Sequence, residues 1–361
     1  MKGERMFYRL KEEVIDPGFC VLCGSCSSFC DRIELDYDEG TPKLVKPCVV
    51  GCSICYDQCP MRQDFDSVQV FGKTMRDPFL GHYREIKAVQ ATDKAMEKGG
   101  QDGGAVTAIL SAILERGKID AAIVVERDAV WKPLPRIITS KEDLFASQGS
   151  KYSPSPNIES LAEVFKGEDI KSIAVVDVGC HIRGIRNIEF NLLYNAGFSP
   201  YSDLKIYTIG LFCVGSFYHN RLMSILKTKP DSINKMVISK GKLNVQSNEE
   251  RLLPVWAVKD STMPSCCLCP DVTAENADLS IGSFGSPDGY STVIVRNLQG
   301  WGMLRDAVQR GYVEADKSLV DREALTKAAM KKQNDVKVRI STNLKRKRKV
   351  PGFILSRPLP Q

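Results

Sequence analysis

Eight of the thirteen cysteines in this 361-residue chain lie between Cys20 and Cys59, at spacings that leave little room for an ordinary core. The first run is Cys20-x2-Cys23-x2-Cys26-x3-Cys30, and the second is Cys48-x3-Cys52-x2-Cys55-x3-Cys59-Pro60. In such runs three thiolates serve one four-iron cluster and the fourth crosses to the other. The pattern therefore assigns Cys20, Cys23, Cys26 and Cys59 to one [4Fe-4S] cluster, and Cys48, Cys52, Cys55 and Cys30 to a second. Zinc sites favour two separated pairs, whereas triplets repeat here. Disulfides would need an oxidising compartment. Helical periodicity is weak over residues 10–72, as expected where clusters replace apolar packing. A region built this way carries single electrons.

The first eleven residues lack the basic-then-apolar pattern of a secretion signal. No apolar run approaches the ~18 residues that would cross a bilayer. These features predict a cytoplasmic chain without a transmembrane segment of its own. The net charge of +6 is concentrated at one end, with twelve Lys and Arg against three acidic residues from Asp321 onward. That stretch, with Lys345-Arg346-Lys347-Arg348-Lys349, reads either as a solvated basic tail or as a docking strap for an acidic partner or membrane complex. No recognition motif or aromatic interleaving accompanies it, so nucleic acid is not an expected partner.

The texture changes after about residue 75. Strand-like segments at 85–91, 119–126, 173–178 and 204–211 alternate with helical spacing at 106–116 and 161–165, predicting an α/β domain. Strand character at 236–246 and 279–296 makes the sheet mixed. Helices are expected at 302–309 and 322–332. The division is thus 1–75 ferredoxin-like, 76–320 α/β, and 321–361 basic tail.

Within the α/β part, Cys180 and Cys213 each follow an apolar strand, where such sheets place their sites. Cys266-x2-Cys269 is a chelating pair between Pro264 and Pro270. By spacing alone these four are either a third thiolate set or buried apolar residues. Two glycine-rich loops, Gly99-Gly100-Gln101-Asp102-Gly103-Gly104 and Gly282-Ser283-Phe284-Gly285-Ser286-Pro287-Asp288-Gly289, are either turns or ligand loops. Neither fits G-x-G-x-x-G. Lys151-Tyr152-Ser153-Pro154-Ser155-Pro156-Asn157 is equally open. His82, His181 and His219 read as packing residues. No Ser-His-Asp set or carboxylate pair points to hydrolysis.

Taken in order, these residues resemble the family of coenzyme F420 hydrogenase/dehydrogenase beta subunits. The resemblance is carried by Gln101-Asp102-Gly103-Gly104 with Thr107, Lys151-Tyr152-Ser153-Pro154 with Asn157, and Cys180 with Gly184-Ile185-Arg186. It continues through Cys213, Lys240-Gly241-Lys242, Cys266-x2-Cys269-Pro270-Asp271 and the run from Gly282 to Val293. The fused cysteine region is similar to that of the electron-input component of archaeal F420H2 dehydrogenase. The resemblance implies a mixed-sheet α/β flavoprotein domain beside a ferredoxin-like 2[4Fe-4S] domain. It implies a third cluster on Cys180, Cys213, Cys266 and Cys269, leaving Cys267 spare. It also implies FAD contacts from Gln101, Asp102, Gly103, Gly104, Thr107, Lys151, Tyr152, Ser153 and Asn157, with Gly285, Ser286, Gly289, Tyr290, Ser291 and Thr292 flanking the flavin. Arg186, Lys240 and Lys242 become candidates for the anionic tail of F420.

The activity so implied is oxidation of F420H2 by hydride transfer to FAD, followed by single-electron passage through the clusters. FAD is the converter because F420H2 gives a hydride whereas clusters accept electrons singly, and no catalytic acid or base is required. The acceptor would be a membrane-bound dehydrogenase complex on the cytoplasmic side, or a ferredoxin. Service in a hydrogenase, formate dehydrogenase or heterodisulfide reductase assembly, and a non-catalytic iron–sulfur relay, are the competing readings.

Overall fold

A computed structural model describes residues 6–36, 40–62, 67–72, 76–167, 169–194 and 204–356. The expected domain limit at residue 75 lies outside them.

An eight-stranded sheet organises the chain. Its strands are β1 Glu85–Ala91, β2 Ala121–Arg127, β3 Pro133–Ile138, β4 Ser172–Val178, β5 Lys205–Leu211, β6 Leu279–Gly282, β7 Ser291–Val295 and β8 Val313–Asp316. Their order is β8-β1-β7-β6-β5-β4-β2-β3. Neighbours among β2, β4, β5 and β6 pair in parallel, and the remaining pairings are antiparallel. The mixed sheet expected from the sequence is present.

The parallel strands read as unbroken apolar runs because both faces are covered. Ala121, Ile123, Ile173, Val175 and Ile206 join one buried cluster, while Ala122, Val124, Ala174, Val176, Tyr207 and Ile209 join the other. Helix α1 (Ala105–Glu115) and α4 (Leu298–Gln309) cover the second face, with Ala108, Ile109, Ile113, Met303 and Leu304 inward. On the first face lie α2 (Asn157–Lys166) and α3 (Gly179–Ile188), through Ile158, Leu161, Ile182, Ile185 and Ile188.

The cysteine-rich region packs on α2 and α3. Met6, Phe7, Leu10, Val14, Phe19, Tyr56 and Met61 share the first cluster with the sheet. Apolar residues around the cysteines thus form a core after all, continuous with that of the α/β part. Arg183 on α3 ties the layers together. Its fully buried guanidinium stands 3.8 Å over the Phe353 ring and donates to the Pro60 carbonyl at 3.2 Å.

Two expectations change. The supposed basic tail is α5 (Arg322–Lys345), twice the expected length. Leu325 and Ala329 pack with Leu80, Ile86 and Ile294, and Val336 and Ile340 join the cluster shared with the cysteine region. Gln333 and Lys332 conceal this stripe by interrupting its apolar spacing. Beyond the helix, Lys349 folds back and donates to the Glu12 carbonyl at 3.0 Å.

Arg186 is likewise no ligand for an anionic coenzyme. It is buried, with Nη1 at 2.7 Å from Glu189, Nη2 at 2.9 Å from Thr208 and Asp278, and Nε donating to the Asn276 carbonyl at 3.0 Å. Its positive charge is needed inside, against two buried carboxylates. Arg186→Met should destabilise the protein by about 3–5 kcal/mol, read by anaerobic urea unfolding, because both carboxylates lose their counter-ion.

Candidate functional site

The carboxyl ends of β1, β4, β5 and β6 emerge at one edge of the sheet, the edge that open α/β sheets use for ligands. Cys180 follows β4 on the first turn of α3, and Cys213 follows β5. The loop after β6 holds the second glycine-rich motif, and the first follows the short helix Lys94–Gly99 that succeeds β1.

The two glycine loops meet here. The Gly103 amide donates to Ser291 Oγ at 3.2 Å, and Gln90 Nε2 donates to the Gly289 carbonyl at 2.9 Å. A Cβ at Gly103 would stand 2.6 Å from the Val89 oxygen and 2.8 Å from the Ser291 nitrogen, so no side chain fits. Gly104, Gly285 and Gly289 hold positive φ values of 71°, 88° and 85°, conformations that glycine adopts without strain. Ser286 and Thr292 hydroxyls are 2.5 Å apart, and Tyr290 is half-buried beside them in sequence.

The Lys151 loop closes on the same place. Gln101 donates to the Tyr152 hydroxyl at 3.2 Å and accepts from the Ser150 amide at 3.1 Å. That hydroxyl also receives the Ile238 amide, at 2.8 Å, from the hairpin Lys235–Ser239/Lys242–Gln246. Ser153 Oγ and Ser155 Oγ are buried without a hydrogen-bond partner among the described residues. The two orphaned hydroxyls beside closely packed glycine loops suit a polar, phosphate-bearing cofactor.

Other expected contacts are placed differently. Lys151 is buried, and its ammonium donates to the carbonyls of Ser147, Gln148 and Gly149 at 2.7, 3.0 and 2.9 Å. All three donors are thus engaged in shaping the loop, which leaves none for a ligand phosphate. Burial, helped by Arg127, pulls its pKa down to about 7. Thr107 is buried on α1, 3.5 Å from Gln148 Nε2. Asn157 donates to the Val176 carbonyl at 3.2 Å, so its side chain is tied to the sheet, while the amide of its neighbour Ile158 bonds the Cys23 carbonyl. Lys240 and Lys242 are exposed at the hairpin tip.

Sequence reasoning passed over Lys235, which donates to the Gly100 carbonyl at 2.5 Å and faces Asp102. Burial pushes the Asp102 carboxyl up to about 6; Lys235 opposes the rise and Asp288 adds to it.

The thiols fall into three groups, judged by which ones raise one another's pKa. Burial pushes Cys20 up to about 12 and Cys23 to about 11, with Cys23 adding to the rise at Cys20. It also raises Cys59, helped by Cys23 and Cys20. Cys26 is raised by burial, then by Cys20, Cys23, Cys59 and Cys55. Cys55 reaches about 12 through burial and the thiols of Cys48, Cys30 and Cys52. Cys180 is raised by burial and by Cys269, Cys213 and Cys266. Most of these neighbours fall within one of the three expected ligand sets, and the Cys26–Cys55 pair crosses between two of them.

Asp102 and Cys213 both act on Tyr152, Cys266 and Cys20 both act on Tyr218, and Cys20 and Cys55 both act on Cys26, so neighbouring groups lie within electrostatic reach of one another. His181 braces the middle, with Nδ1 3.0 Å from Asp177 and Nε2 3.0 Å from the Val21 carbonyl. At the far end, Cys48 and Cys52 neighbour the exposed Val45, Val49 and Val50. Four soft thiolates are the donor set an iron–sulfur cluster requires, and its positive irons would reverse the electrostatic cost of gathering them; among the described residues no three His, Cys, Asp or Glu side chains are arranged to hold a single metal ion.

Comparison with known proteins bears on the same residues. Models described as the N-terminal and C-terminal parts of the coenzyme F420 hydrogenase/dehydrogenase beta subunit match residues 86–162 and 170–319. The chain is 36% identical, over 80% of its length, to a coenzyme F420-dependent sulfite reductase of Methanocaldococcus jannaschii, of which it spans only 46%. It is 30% identical to an F420H2 dehydrogenase component of Methanosarcina mazei, covering 82% of this chain and 85% of that one. A chain of the F420-reducing nickel–iron hydrogenase complex of Methanosarcina barkeri superposes with a TM-score of 0.69 at 31% identity, covering 75% of this chain and 95% of that one.

Asp102 yields a pH test. Its raised pKa favours the protonated, folded form, and that stability is lost as pH rises toward the folded value of about 6. Asp102→Asn removes this loss, so the variant should gain about 1 kcal/mol on the parent between about pH 5 and 8. Anaerobic denaturation at both pH values checks it.

Proposed function

Since the chain belongs to the family of coenzyme F420 hydrogenase/dehydrogenase beta subunits, a group of F420-dependent oxidoreductase components, we propose that it oxidises F420H2 and delivers electrons one at a time to an acceptor protein. The observation carrying this reading is that the glycine loops and the three thiol groups lie within electrostatic reach of one another in turn, with Cys48 partly exposed at the far end. Bound FAD would supply the conversion between a hydride and single electrons, and bound clusters would supply one-electron carriers.

The protein's own residues have definite tasks in this scheme. Gly103, Gly104 and Gly285 let the two glycine loops pack closely on the backbone at Val89, Met96 and Asp321, and Tyr152 joins the Gln101 loop to the hairpin strand at Ile238. Ser153 and Ser155 offer free hydroxyls to the flavin nucleotide. Cys180, Cys213, Cys266 and Cys269 hold the cluster nearest the flavin. Cys20, Cys23, Cys26 and Cys59 hold the next, and Cys48, Cys52, Cys55 and Cys30 the outermost. The acceptor, a membrane-bound dehydrogenase complex or a ferredoxin, docks over the exposed valines beside Cys48.

Among the described residues no helix is long and apolar enough to cross a membrane, so attachment to such a complex would be peripheral. Use in a hydrogenase or another F420-linked assembly keeps the same chemistry and changes only the acceptor. A flavin-free relay would leave the glycine loops without a task.

Protein purified without oxygen should show flavin absorbance that bleaches on adding F420H2; cluster absorbance with no flavin would reject the enzyme reading. Iron should measure about twelve atoms per chain, falling to about eight in Cys180→Ser while flavin is retained. A value near eight in the parent would remove the Cys180 group from the scheme.

A further inference from the structure

Helix α5 begins beyond residue 319, where the match to the family models ends, yet it reaches into the redox core. Lys332 on its inner side is only half-exposed. Its ammonium donates to the Cys213 carbonyl at 2.9 Å and to the Asp271 carbonyl at 2.7 Å. Both acceptors lie in ligand-bearing segments, one after β5 and the other two residues past Cys269. The same ammonium faces the sulfurs of Cys269, Cys213 and Cys266. Negative groups also face this thiol set: Asp177 acts on Cys180, and Asp271 acts on Cys213.

A cluster held by four thiolates is an anion, and reduction adds one more negative charge within a buried space. A cation fixed nearby stabilises the reduced form more than the oxidised one, so net charge and hydrogen bonding are levers on cluster potential. Lys332 is placed to act by charge and to hold two ligand loops by hydrogen bonds.

We propose that Lys332 is a positioning and potential-setting residue for the cluster on Cys180, Cys213, Cys266 and Cys269, making that cluster easier to reduce than its own ligands and the flanking Asp177 and Asp271 would allow. The inference rests on the proposed third cluster. Its consequence is directional: the first carrier beyond the flavin becomes a ready acceptor, and the segment that makes it so lies outside the part of the chain matched by the family models.

The test uses the full chain, purified anaerobically, with cluster potentials followed by EPR during redox titration. Cys180→Ser identifies the signal of the third cluster by removing it. In Lys332→Met that signal should titrate at a more negative potential while the other two stay at their parent values. Lys332→Arg, which keeps the charge, should restore the parent potential. Unchanged potentials in Lys332→Met, with iron still near twelve atoms per chain, would overturn the proposal. Should Lys332→Met lose four irons, retention of the cluster in Lys332→Arg supports a requirement for the cation. Loss in both variants overturns the potential-setting role in favour of packing alone. Iron near eight in the parent defeats the cluster reading itself, which separates the two failures.

Discussion

Gathering thiols in a buried space is the constraint that the architecture answers. Burial raises the pKa of Cys20, Cys23, Cys26, Cys55, Cys59, Cys180, Cys213 and Cys266, and neighbouring sulfurs raise it further at all of these but Cys23, where Asp177 does so. Thiolates in such places need positive charge, so the groups are stable as anions only around a polyvalent cation. The surrounding fold supplies rigid supports at the required positions. Strand ends carry Cys180 and Cys213, and turns closed by the sheet-covering helices carry the others. The Gly24 turn packs on Glu159 and Pro156 at the start of α2, and Arg183 locks the Cys59 segment to α3.

The cysteine region and the sheet domain are therefore two regions of one buried structure. Residues from the first helix, the sheet, α2, α3, α5 and the final helix at Phe353 all belong to a single apolar cluster. Close packing across that boundary fixes distances between thiol groups, which a flexible linker could not do. Electron transfer depends steeply on such distances, so the shared core serves function as directly as the ligands do.

The sequence was most legible where chemistry or periodicity is local. The cysteine spacing made the thiol clustering between Cys20 and Cys59 legible, because each run must place three sulfurs within a few residues of one another. Strand β1 was visible from its alternating polarity, and the strand before Cys180 from the apolar run that two covered faces enforce. Arg186 misled because a basic residue in a motif looks the same whether it meets a ligand or two buried carboxylates, and Asp278 is far away in sequence. Lys151 misled similarly: only the folded loop shows that three nearby carbonyls engage its donors. The length of α5 was hidden by Gln333 and the lysines around it. Their polarity reads as a solvated face, although Gln333 donates to the Phe79 carbonyl and Lys332 points inward.

Helix α5 also bears on how the molecule opens. It touches the sheet edge near Leu80, the Cys213 and Cys266 loops, and the core beneath the cysteine region. Local openings in a protein follow cooperative units, and a helix that belongs to several of them makes them open together. Exposure of the buried Cys23 and Cys59 would then take a concerted fluctuation, not the fraying of a small cysteine-rich lobe. The helix confers kinetic shielding on chemistry that it does not itself perform.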